Sequence, residues 1–130
     1  MPIVALVVDD SMVIRHTVCR FLEERGYEVE VASNGQEALE IAARRIPGLI
    51  ITDMQMPSMG GSELITALQN DANTATIPIV ILTGRSSGYD QGETRAKFTI
   101  FKDIDIQEQL ERALLAVESR ALTKAQGSGN

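Results

Sequence analysis

The chain has a single cysteine, Cys19, among 130 residues, so no intrachain disulfide can form and no CxxC pair is present to hold a metal or a redox couple. Long apolar runs are missing too. No stretch approaches the ~18–20 apolar residues that cross a bilayer, and Met1-Pro2-Ile3-Val4 lacks the charged start of a signal peptide. Positive charge is in deficit, with 12 Lys and Arg against 18 Asp and Glu and a net charge of −6. No basic run exceeds Arg44-Arg45, which argues against nucleic acid or an anionic membrane as the main partner. These absences point to a soluble protein of a reducing compartment, and a cytoplasmic location is expected. The 44% hydrophobic and 23% charged content is that of an ordinary globular protein, and the length suits one domain.

Within that composition, apolar runs alternate with helical patterns. Ile3-Val4-Ala5-Leu6-Val7-Val8 is continuous and β-branched, as suits a strand buried on both faces, and it stops at Asp9-Asp10. Ile14, Val18, Phe21 and Leu22 then recur at helical spacing up to Gly26, a helix stop. Glu28-Val29-Glu30-Val31-Ala32 alternates and predicts an edge strand. Ser33 and Gln36 suggest a capping box for a helix carrying Ala38, Leu39, Ala42 and Ala43. Leu49-Ile50-Ile51-Thr52-Asp53 is the next strand, and Gly60-Gly61 leads into a helix with Leu64, Ile65 and Leu68. A strand over Ile77–Leu82 runs into Thr83-Gly84, and Phe98–Phe101 runs into Lys102. Asp105 and Glu108 cap a last helix with Ile106, Leu110, Ala113, Leu114 and Val117 on one face. Five strand–helix alternations predict a doubly wound α/β domain: a five-stranded parallel sheet with helices on both faces. Residues 1–120 are assigned to this domain, and 121–130 to a flexible tail, linker or tag remnant.

The polar residues fall where the strands end. In an open parallel sheet the carboxyl ends of the strands share one edge, and ligands bind there. Asp9, Asp10, Asp53, Thr83 and Lys102 would therefore converge from four segments. A single acid at a strand end is commonly a turn former or a helix N-cap, but five polar groups meeting at one edge suggest a site. Three crowded carboxylates repel and call for a cation. An oxygen-only donor set without His or Cys favours Mg²⁺ or Mn²⁺. Such a cation, a lysine ammonium and a hydroxyl together suit phosphoryl oxygens, with an aspartate as nucleophile.

At these residues the chain resembles the receiver domain of two-component response regulators, over about residues 3–118. The resemblance lies in Val7–Arg15 with its acid pair, Ser11 and Arg15; in Pro47–Gly61 with Asp53, Met56-Pro57 and Gly61; in Val80–Gly84; and in Lys102. It implies the strand order 2-1-3-4-5 and phosphorylation of Asp53 by a sensor histidine kinase or phosphotransfer protein. It further implies that Asp10 binds Mg²⁺ directly and Asp9 mainly through water, with the Gln55 backbone carbonyl as another ligand and Asp53 in the metal set. Thr83 would turn toward the phosphate and Lys102 would pair with it. An output protein is implied as partner, by a monomer or by a dimer formed on phosphorylation.

The chain departs from the family pattern around Lys102. Asp103 follows Lys102 where the family has a proline with a cis peptide, and Thr99 stands where a switch aromatic is usual. Phe98 and Phe101 are expected on the sheet face opposite Thr99. Only 18 residues separate Thr83 from Lys102, and Ser86–Gly92 is poor helix material, so a short, irregular or mobile fourth helix is expected. The alternative to a phosphorylated switch is a pseudo-receiver, an interaction module without regulated phosphorylation. An aspartyl-phosphate phosphatase would want an acid two residues after the nucleophile, where Gln55 stands. Enzyme activity is therefore not expected, and the acidic balance leaves direct DNA binding unexpected as well. His16 is expected to face solvent, Cys19 to pack, and Met54, Met56 and Met59 to fill loop and groove.

Overall fold

The computed structural model describes residues 3–56, 59–84, 96, 98–102 and 105–128, with 119–128 described as backbone alone. In chain order the elements are β1 (Val4–Val8), α1 (Met12–Glu24), β2 (Glu28–Ala32), α2 (Gly35–Arg44), β3 (Leu49–Asp53), α3 (Gly61–Gln69), β4 (Ile79–Thr83), β5 (Phe98–Phe101) and α4 (Ile106–Ser128). The strands form one parallel sheet in the order β2-β1-β3-β4-β5, as expected.

Strand alternation divides the core in two. Ala5, Val7, Leu49, Ile51, Val80, Leu82 and Ile100 face α1 and α4, where Val18, Phe21, Leu22, Leu110 and Leu114 cover them. Leu6, Val8, Ile50, Ile79 and Ile81 face α2 and α3, against Ala38, Ile41, Ala42, Leu64, Ile65 and Leu68. Continuous apolar strands are the consequence, because both faces of each central strand are covered. β2 lies at the edge, and its pattern of Glu28 and Glu30 leaves it partly exposed. Arg45, beyond the end of α2, pairs with both glutamates across one face of β2.

Several local expectations shift. The cap of α2 is Asn34, whose side chain accepts from the Glu37 N–H at 2.9 Å, while Glu37 Oε1 accepts from Ser33 N. The cap is displaced by one residue, and Gly35 begins the helix close against Met59. A β-carbon at Gly35 would lie 2.7 Å from Met59 Cγ. On β5, Phe98 packs with Ile100 in the α1/α4 core. Phe101 lies two residues from Thr99 and so shares its face, contrary to expectation, and it is in register with Thr83. At the C-terminus, α4 continues as helical backbone to Ser128, across the boundary drawn at 120 and through most of the expected tail. Residues 121–126 contain no glycine or proline to stop it. The expected fourth helix and the Lys102–Asp103 bond lie outside the described residues. No helix among the described residues is long and apolar enough to cross a membrane.

Candidate functional site

The carboxyl edge of the sheet brings Asp9, Asp10 and Asp53 together. One carboxylate oxygen from each lies within 4.8 Å of the others. Asp9 follows β1 and is fully buried, Asp10 is exposed, and Asp53 closes β3 and is buried. Lys102 reaches in from the end of β5, with Nζ 2.8 Å from Asp9 Oδ2 and 3.0 Å from Asp53 Oδ2. Its backbone N–H donates to the Thr83 carbonyl at 2.9 Å, which continues the β4–β5 ladder to the lysine itself.

Local hydrogen bonds explain how the acids are held. The Ser11 N–H donates to Asp9 Oδ1 at 2.8 Å, and the Ser11 hydroxyl caps α1 by accepting from Ile14 N. Arg15 reaches back along α1 and donates to the Asp9 carbonyl at 2.7 Å. Helical side chains lean toward the N-terminus, so a basic residue on the second turn can touch the loop that precedes the helix. That lean was the signal available in the sequence for giving Arg15 a role beyond its place in the resemblance. The Gln55 N–H donates to Asp53 Oδ1 at 3.3 Å, while its side chain is exposed. Thr83 is buried one strand from Asp53, and its hydroxyl donates to the Gly84 carbonyl at 3.5 Å. The edge thus puts Lys102 in direct contact with Asp9 and Asp53, gathers Asp10 with those two acids, and sets Thr83 at the end of the neighbouring strand.

Opposing influences act on the charges. Burial pushes the Asp53 carboxyl above its ordinary range and nearby Asp9 adds to this, while pairing with Lys102 and the Gln55 N–H pull it down; the net direction is up. Burial works against the Lys102 ammonium, but Asp9 and then Asp53 outweigh it, and its pKa is raised. Asp9 Oδ2 is buried, and the Lys102 ammonium 2.8 Å away is its charged partner. One ammonium does not balance three carboxylates. Three carboxylate oxygens within 4.8 Å of one another form an oxygen-only donor set that fits a hard divalent cation.

The response regulator receiver domain model matches residues 5–114. The chain belongs to that family. A receiver domain is the phosphoryl-accepting module of two-component signalling. Among relatives, Response regulator Rre1 of Synechocystis sp. is 36% identical over 91 residues, covering 69% of this chain and 39% of that protein. Histidine kinase P4 of Formosa agariphila is 35% identical over 126 residues, which cover 95% of this receiver but 9% of the kinase. The chain therefore spans well under half the length of these curated relatives. Among solved structures, the chemotaxis response regulator CheY4 of Vibrio cholerae superposes with a TM-score of 0.80 at 34% identity, covering 90% of this chain and 99% of that one. A signal receiver domain of a histidine kinase from Syntrophus aciditrophicus gives 0.77 at 30% identity, covering 90% and 91%.

The remaining expectations fall into place around this receiver. His16 is exposed, Cys19 packs against the α1/α4 core, and Met54, Met56 and Met59 pack against the other. The residue that sequence reasoning missed is Gln109, whose amide bonds to the backbone immediately before Lys102.

Proposed function

We propose that Asp53 is the phosphoacceptor of this receiver, taking its phosphoryl group from the phosphohistidine of a sensor kinase or phosphotransfer protein in the cytoplasm. The observation that carries this reading is the contact of buried Asp53 with Lys102 beside Asp9 and Asp10. An Asp53 oxygen attacks phosphorus as the P–N bond breaks, and the imidazole nitrogen leaves with the bonding pair. Burial strips water from the carboxylate, and Lys102 keeps a cation beside it as charge builds on the phosphoryl oxygens. Asp9, Asp10, Asp53 and the Gln55 carbonyl would hold Mg²⁺, which would supply further positive charge to those oxygens. Phosphorylation adds roughly two negative charges near pH 7. It gives Lys102 a stronger partner than the carboxylate alone and offers the Thr83 hydroxyl an acceptor, which biases the surface read by an output protein.

Intact-mass spectrometry after incubation with Mg²⁺ and acetyl phosphate tests the assignment. A phosphate adduct on the wild type and none on Asp53→Asn is expected. An adduct on both, or none on a folded wild type with measured Mg²⁺ binding, would overturn it.

A further inference from the structure

The inner side of β5 is tied to β4 through the Lys102 N–H and the Thr83 carbonyl, so the Phe101 peptide groups point outward from the sheet. An unpaired strand edge is costly where it is covered and adhesive where it is not. Gln109, on the first turn of α4, satisfies that edge at one residue. The Phe101 N–H donates to Gln109 Oε1 at 2.9 Å, and Gln109 Nε2 donates to the Phe101 carbonyl at 2.8 Å. The same Nε2 donates to the Asp105 carbonyl at 3.2 Å. A carboxamide carries the donor and acceptor of a peptide group, so Gln109 substitutes for one residue of a further strand.

The place matters because the next residue is Lys102, whose side chain bridges Asp9 and Asp53. The residue after it is Asp103, so no proline ring restricts the backbone there. We infer that Gln109 is a positioning residue for Lys102, its carboxamide holding the end of β5 so that the ammonium stays aimed at the acid cluster. The inference rests on the receiver reading above. It differs from a plain helix–sheet clip, which would stabilise the fold without coupling to the lysine.

A double-mutant cycle separates the two. The rate of adduct formation on Asp53 with acetyl phosphate and Mg²⁺ is measured for wild type, Gln109→Ala, Lys102→Ala and the double variant, alongside urea unfolding. Gln109→Ala is expected to slow the wild-type reaction roughly three- to tenfold, within the coupling expected of residues in one network. In the Lys102→Ala background it is expected to change the slower residual rate by less than about twofold. Gln109→Glu keeps the acceptor for the Phe101 N–H and loses the donor; it is expected to show the same coupling, and it decides the matter if the alanine variant does not fold. Equal slowing in both backgrounds, or no slowing in either, would overturn the inference. A folded, Mg²⁺-binding wild type that takes no adduct would overturn the assignment of Asp53 as phosphoacceptor and, separately from the Gln109 comparison, this inference with it.

Discussion

At Gly61 a β-carbon would lie 2.5 Å from the Asp53 carbonyl oxygen and 2.9 Å from Met54 Cα, with Met54 Sδ at 2.8 Å. Two of these neighbours are backbone, so no side-chain rotation can make room. Gly61→Ala is expected to cost about 1–3 kcal/mol of stability in urea unfolding. It is also expected to lower phosphorylation on Asp53 further than the lost folded fraction explains, because the shift is delivered to the acceptor's own peptide. In the sequence Gly61 was visible as half of a glycine pair before a helix and as part of the family resemblance, but the reason for it was not. The clash depends on how closely α3 approaches the end of β3, which spacing along the chain does not report. The acids themselves were legible, because a strand buried on both faces stays apolar until it meets water or a site, and Asp9 and Asp53 mark those ends.

The helices begin and end by local chemistry. α1 stops at Gly26, which adopts φ +88°, with the Gly26 N–H donating to the Glu23 carbonyl and the Tyr27 N–H to the Leu22 carbonyl. Nothing lies within 4 Å of a β-carbon built there. The expected penalty of Gly26→Ala is therefore conformational alone, about 1 kcal/mol by urea or thermal unfolding, with the phosphorylation rate per folded molecule unchanged. A loss of several kcal/mol would show that this turn does more than reverse the chain. Gly26 could be read ahead of the structure because the signal is contained in the residue. The start of α2 was misplaced by one residue because Ser33 and Asn34 are comparable caps, and only the structure shows the Asn34 side chain on the Glu37 N–H. The faces of β5 were misjudged at Phe101, which a strict two-residue period pairs with Thr99.

Across the whole molecule, α4 is fastened to the opposite end of the fold by polar contacts. Arg25 stacks over Phe21 at 3.6 Å and pairs with Glu111 at 3.0 Å, and the Tyr27 hydroxyl donates to Glu118 at 3.0 Å. Burial first, and then Glu118, push the Tyr27 phenol up to about 12. The native state favours the neutral phenol, so the associated stability is present below the ordinary value of 10.0 and is lost as pH rises through about 12. Wild type is expected to lose stability relative to Tyr27→Phe across that window. Denaturation followed at several pH values checks this, with the difference in tyrosinate absorbance between the two proteins marking the titration. Parallel pH profiles would remove Tyr27 from the contact.

The order of apolar runs, with an acid, hydroxyl or lysine at their ends, determined by itself the parallel sheet, its layers and the convergence of Asp9, Asp10, Asp53, Thr83 and Lys102. Those features follow from periodicity and from the rule that parallel strands end at a common edge. Tertiary structure alone decided which groups pair. Lys102 bridges Asp9 and Asp53 rather than reaching solvent, Arg45 pairs with Glu28 and Glu30 of β2, and Gln109 completes the backbone before the lysine. Each of these contacts joins residues on different elements. Their partners are set by how the helices seat on the sheet, and no local pattern in the chain encodes that distance.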